Sequence, residues 1–156
     1  MHLLYGNYDV AIDDKNRMLI PSDIRKAIDP ISDGEAFFLV PRADGRFWLY
    51  PDRYYRTLAE QMAREMAPGE DLQKFNRVHF GLVSRIEWDK QGRVLLPEKE
   101  IRRSGLSKEI TVVGAGDHVE VWSRVAWTAE EPELLRQQDE IDDRIRQRRR
   151  DAAEPQ

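Results

Sequence analysis

Asp13-Asp14-Lys15-Asn16-Arg17-Met18-Leu19-Ile20-Pro21 recurs 76 residues later as Asp89-Lys90-Gln91-Gly92-Arg93-Val94-Leu95-Leu96-Pro97. Each copy joins an Asp-x-x-x-Arg loop to an apolar run that ends in proline. The fourth loop position is Asn16 in one copy and Gly92 in the other. These two residue types accept left-handed backbone most readily, so the pattern predicts a tight turn between two strands. Upstream lie alternating apolar residues, Tyr8, Val10 and Ile12 in the first copy and Val83, Ile86 and Trp88 in the second. Downstream, Pro21 and Pro97 end a strand and open short charged helices over 22–28 and 98–104, with Asp23 or Glu98 where a helix start favours negative charge. Both helices contain an isoleucine followed by two cations, Ile24-Arg25-Lys26 and Ile101-Arg102-Arg103. Two β runs then close each copy. They are Phe37-Phe38-Leu39-Val40 with Phe47-Trp48-Leu49-Tyr50, and Ile110-Thr111-Val112-Val113 with Val119-Glu120-Val121-Trp122. Ala43-Asp44-Gly45 and Ala115-Gly116-Asp117 supply the turns between them. Each repeat reads β, turn, β, short helix, β, turn, β. A unit of about 45 residues is marginal alone and needs its twin.

Between the repeats the periodicity changes. Tyr55, Leu58, Met62 and Met66 fall at helical spacing, as do Leu72, Phe75, His79 and Leu82, with Pro68-Gly69 interrupting. This predicts a helical hairpin in which the two methionines fill core and His79 is a packed or hydrogen-bonded core histidine. The domain organisation follows: repeat 1 over 7–53, helical linker over 54–82, repeat 2 over 83–126, and a polar helical or flexible tail over 127–156. Leu134, Leu135, Ile141 and Ile145 are sparse apolar positions in that tail, which ends in Arg144, Arg146, Arg148, Arg149 and Arg150. Such a charge run reads first as a solvated helix face.

Composition limits the function classes. The chain has 156 residues, of which 40% are hydrophobic and 35% charged, which is globular composition with a heavily charged surface. With no cysteine, disulfides, thiolate catalysis and zinc–thiolate sites are excluded. His2, His79 and His118 lie far apart and match no metal-ligand spacing. The longest apolar run, 36–40, is far too short to cross a membrane, and the Met1-His2 opening lacks a signal-peptide core. These features predict a cytoplasmic protein with no membrane partner, no small-molecule ligand, no metal and no cofactor. The net charge of −4 argues mildly against nucleic acid. The tail over 128–156 holds 9 acids against 6 arginines, however, so the rest of the chain is close to neutral.

The duplicated loop, its flanking strands and the Val112-Val113-Gly114…Glu120-Val121-Trp122 ending resemble the MraZ family of bacterial transcriptional regulators, built from two SpoVT-AbrB repeats. The resemblance spans roughly Tyr5 to Trp127. It implies an α+β, mainly β fold: a tandem AbrB-like swapped-hairpin (cradle-loop) barrel in which the two repeats of one chain intertwine, with a helical linker and a C-terminal helix. It further implies a ring-shaped homo-oligomer, associated with the nucleoid, that binds direct repeats in double-stranded promoter DNA upstream of the division and cell-wall genes and represses them. Arg17 and Arg93 match the arginine that closes the repeated loop. Arg25 and Lys26, with Arg102 and Arg103, match the basic pair on the following helix, which contacts DNA in AbrB-like relatives. Lys15 and Lys90 are cations within the loop. Asp13, Asn16, Asp89 and Gly92 are expected to shape it. Asn16 stands where the family usually has glycine and Asp14 adds a carboxylate, which implies weaker DNA contact at the first loop.

Other readings stay open at this point. On the residues alone, Asp13–Arg17 and Asp89–Arg93 read first as ion pairs that pin the loops without any ligand. The two aspartates on a pseudo-symmetric barrel invite comparison with an aspartic-protease dyad. Neighbouring lysines and arginines would keep both ionised, though, and Asp-Thr/Ser-Gly is missing. No glycine-rich phosphate loop or nucleophile elbow is present, so an enzyme is not expected. The main rival is an AbrB-type antitoxin or protein-binding ring whose tail holds a partner.

Overall fold

The computed structural model describes residues 3–154, so Met1, His2 and the last two residues of the tail lie outside the described residues. Among the described residues there are eight strands and five helices. Repeat 1 supplies β1 (Asn7–Ala11), β2 (Arg17–Leu19), α1 (Ser22–Ala27), β3 (Ala36–Pro41) and β4 (Phe47–Pro51). The linker supplies α2 (Asp52–Glu65) and α3 (Glu70–Asn76), which continues into a π-helical turn, Arg77–Gly81. Repeat 2 supplies β5 (Ser84–Glu87), β6 (Arg93–Leu95), α4 (Glu98–Ser104), β7 (Glu109–Gly114) and β8 (Val119–Ser123). Helix α5 (Arg124–Ala153) follows. The chain divides into two compact units, one ending at Ser123 and the other consisting of the residues from Arg124 onward.

All strand pairs in the first unit are antiparallel, and the repeats are interleaved. Strands run β1-β7-β8-β4-β3-β5 in one sheet and β2-β6 in a second. The first strand of each repeat thus pairs with the third strand of the other: β1 with β7 and β5 with β3. The isolated bridges Ile12↔Met18 and Trp88↔Val94 join each edge of the sheet to the β2–β6 ribbon, which closes the strands into a barrel. Closure removes the exposed edges that either repeat would present alone. A pseudo-twofold axis runs through the assembly. At one end it passes between Met18 and Val94, which face each other across β2–β6. At the other it passes between Trp48 and Glu120 in the β4–β8 pair.

The register follows from the alternation of side chains. Met18 and Val94 point inward and are fully buried, with Ile20, Leu96, Phe37, Phe47, Leu49, Ile110, Val112 and Val121 in the same core. Period-two geometry then obliges Arg17, Leu19, Arg93 and Leu95 to face outward. The turns behave as their residues dictate: Asn16 has φ 61° and Gly92 φ 78°, both left-handed.

Three local expectations are corrected. The Ile-Arg-basic triplets of the two helices do not superpose. Arg25 N–H donates to Pro21 and Ile101 N–H to Pro97, so the offset of 76 that relates the loops also relates the helices. On that register Ile24 corresponds to Glu100, and each is 1% exposed. In the linker, Met62 is 41% exposed and is not core filler. Helix α2 buries only Asp52, Tyr55 and Ala59 and nothing beyond Ala59, so its last turns have no core to fill. His79 is half-buried. Tyr55 hydroxyl donates to its carbonyl at 2.7 Å, and Phe75 lies 4.3 Å from its ring. The tail helix also begins earlier than its periodicity suggested, at Arg124.

Candidate nucleic-acid interface

The β2–β6 ribbon and its two loops build one surface. In the first loop, Asp13 Oδ1 accepts the backbone N–H groups of Lys15 (2.9 Å) and Arg17 (2.8 Å), while Oδ2 accepts Arg17 Nε at 2.8 Å. The second loop repeats this geometry. Asp89 Oδ1 accepts Gln91 N–H (2.9 Å) and Arg93 N–H (3.0 Å), and Oδ2 accepts Arg93 Nε at 3.0 Å. The backbone donation from Arg17 or Arg93 is the leading cause that holds each aspartate below the usual carboxylate range. Each carboxylate therefore closes its turn and at the same time fixes the following arginine by its Nε edge. The two arginine side chains are about one-third exposed.

Cross-strand pairing sets the layout. Arg17 lies opposite Leu95 and Leu19 opposite Arg93. The outer face therefore alternates cation and apolar side chain, with Leu19 46% and Leu95 60% exposed. Sequence reasoning named the arginines and missed these leucines, although strand periodicity across the buried Met18 and Val94 carries the signal.

Because the strands are exchanged, each loop is braced by the opposite repeat. Ile20 N–H donates to Gly92 carbonyl at 2.8 Å, and Leu96 N–H donates to Asn16 carbonyl at 2.8 Å. Arg25, on α1, reaches across the second loop. Its Nε donates to Ile20 carbonyl at 3.0 Å, and its guanidinium covers Gly92 so closely that a Cβ there would stand 2.5 Å from Cζ. An open cleft lined by Arg25, Glu35, Trp88, Asp89, Lys90 and Gly92 lies beside it. Lys15, Lys26, Lys90 and Arg102 are exposed. Arg103 is exposed as well, and its Nη1 lies 3.3 Å from Glu100 Oε2. Asp14 holds Lys108.

Among the described residues, no group of three or more histidines and carboxylates could hold a metal, and no helix is long and apolar enough to cross a membrane.

Comparison with known proteins identifies the fold. The family model described as "MraZ protein, putative antitoxin-like" matches residues 3–76 and 80–149, breaking at the π-helical turn between the repeats. A transcriptional regulator MraZ from Clostridium tetani is 32% identical over 80% of this chain and 84% of its own length. Its counterpart from Heliobacterium modesticaldum is 33% identical, covering 81% and 85%. That from Thermomicrobium roseum is 35% identical, covering 85% and 89%. With both repeats matched and the exchanged barrel that joins them, the chain belongs to the MraZ family.

Proposed function

We propose that this protein is a sequence-specific DNA-binding transcriptional regulator. The observation that carries the reading is the paired ribbon: two arginines, each locked by an aspartate, are presented on one outward face by β2 and β6. The relatives' name, transcriptional regulator MraZ, supports it. Guanidinium forks suit phosphates and guanine edges, and holding them in place beforehand lowers the cost of ordering them on binding. Few cations stand against a net charge of −4, so tight binding needs several protomers on successive DNA repeats, which multiplies weak contacts through effective concentration. A ring supplies that arrangement. Its candidate contact is the exposed apolar patch of the linker, Met62, Val78, Phe80 and Leu82. On this reading the protein works in the cytoplasm at the nucleoid, as a non-enzyme. It represses its own division and cell-wall cluster through upstream direct repeats.

Fluorescence anisotropy tests the reading with a duplex from immediately upstream of the protein's own gene and a shuffled duplex of equal composition. Each is measured at low and near-physiological salt. Tighter binding to the native duplex that survives salt is the expected result. Equal, salt-labile binding to both would reduce the activity to phosphate attraction.

One feature favours a second reading, an antitoxin-like partner role for the tail. None of the 30 residues of α5 is buried, and a mostly polar helix of that length gains little without a partner. Truncation after Trp127 separates the two: loss of a co-purifying protein with DNA binding intact supports the partner role.

A further inference from the structure

The two halves of the ribbon surface are related by the pseudo-twofold but differ in chemistry. One half joins the second loop to α1, and the other joins the first loop to α4. Four pseudo-equivalent pairs break the symmetry: Lys90 against Asp14, Gly92 against Asn16, Arg25 against Ile101, and Ile24 against Glu100. In the first of these halves the absence of a side chain at Gly92 lets the Arg25 guanidinium lie flat on the loop. Its Nε is committed to Ile20 carbonyl, and its two Nη groups have no partner among the described residues. Lys90 lines the same cleft as Arg25, and Arg93 follows Gly92 along the chain. Glu35 lines the same cleft, where its carboxylate repels phosphate but can accept a hydrogen bond from a base amino group. In the opposite half Ile101 packs against the core and offers no cation. Asp14, 92% exposed in its side chain, places a carboxylate beside Lys15. Buried Glu100 engages Arg103 from below.

We propose, resting on the DNA reading above, that the half containing Arg25, Lys90, Gly92 and Arg93 makes most of the base-edge contacts. The half containing Lys15, Arg17 and Arg102 contacts chiefly phosphates. A fork that is already fixed can be bidentate to a base without further ordering, and this half holds two, Arg25 and Arg93, where the opposite half has Arg17 and an isoleucine in place of the second. The first half here is the one built on the second loop and α1. Each protomer therefore recognises a non-palindromic element and sits on it in one orientation.

The test is selection of full-length protein on a duplex library with a randomised core, followed by anisotropy on the selected duplex and its shuffled control. A non-palindromic core is expected. Arg25→Lys keeps the charge but loses the fork, and should cut discrimination between the two duplexes roughly 10-fold. Binding to the shuffled duplex and thermal unfolding should stay near wild type. Arg102→Ala should weaken both duplexes alike. A palindromic core, or equal loss of discrimination in the two variants, overturns the inference while leaving the DNA reading standing. Wild-type protein that selects no core and binds neither duplex overturns the DNA reading, and this inference with it.

Discussion

At the scale of single residues, the asymmetric positions carry opposite expectations for stability. Gly92 combines φ 78° with the Arg25 guanidinium where a Cβ would stand. Gly92→Ala is therefore expected to cost about 1–3 kcal/mol, from left-handed strain and a displaced arginine. Asn16→Gly, at the same turn position with φ 61°, should change stability by less than about 1 kcal/mol. Chemical denaturation midpoints of the two variants check this. Glu100 is the reverse case, a carboxylate 1% exposed with Oε1 lacking any hydrogen bond, in the slot that Ile24 fills with hydrocarbon. Replacing a poorly satisfied buried charge by an apolar side chain of similar size is commonly neutral or stabilising by about 1–4 kcal/mol. Glu100→Ile should therefore raise the unfolding temperature, and calorimetry showing a marked fall would contradict the assignment. None of this could be read from composition. The sequence pattern placed an isoleucine in both helices, and only the hydrogen bonds to Pro21 and Pro97 show which residue faces inward.

At the scale of elements, the centre of the barrel sheet is tied to the linker helix by one polar network. His118, just before β8, stacks on Trp48 with ring centroids 4.0 Å apart. Its Nδ1 lies 2.7 Å from Asp117 Oδ1 and its Nε2 lies 3.1 Å from Glu120 Oε2. Tyr54, on α2, donates to the second oxygen of Asp117 at 2.7 Å, and Trp122 Nε1 donates to that of Glu120 at 2.9 Å. Burial disfavours the imidazolium, yet the bonds to Glu120 and Asp117 outweigh it, and the His118 pKa is raised above 6.5. A raised folded-state pKa means that this contribution is fully present below the unfolded pKa and is lost as pH rises through the folded value. Thermal unfolding temperatures should therefore fall on going from about pH 6 to alkaline pH in the wild type, and His118→Gln should flatten that slope. Tyr54→Phe removes a hydrogen bond to a carboxylate and should cost about 1–3 kcal/mol by denaturant titration. The strands and turns of these elements were legible from alternation and glycine placement. The network was not, because Tyr54 and Asp117 are far apart along the chain and meet only when α2 is laid beside the β7–β8 turn.

At the scale of the whole molecule, exchange of strands makes the repeats interdependent. A polypeptide of residues 1–53 lacks β5, β6, β7 and β8, which pair with every strand that repeat 1 contributes. Expressed alone it should be largely unfolded, or self-associate by pairing with a second copy, as circular dichroism and light scattering would show. Addition of residues 83–126 should restore ordered strand content. A separate folded monomer of residues 1–53 would contradict the interleaved core. For the proposed ring, Phe80→Asp with Leu82→Asp should lower the assembled mass while leaving the barrel folded. Both side chains are 45–48% exposed, so neither change creates a core cavity.

By itself the sequence determined the repeat, the strand–turn–strand–helix grammar of each copy, the left-handed turns at Asn16 and Gly92, and the candidate cations. These are local, written in residues a few positions apart. Tertiary structure alone decided which loop each helix covers, that Glu100 is inside while Leu19 and Leu95 are outside, and that Arg25 belongs with Gly92 and not with its own loop. The physical reason is the exchange itself: every strand of one repeat finds its hydrogen-bond partner or its core contacts in the other, and such pairings leave no periodic trace within either copy.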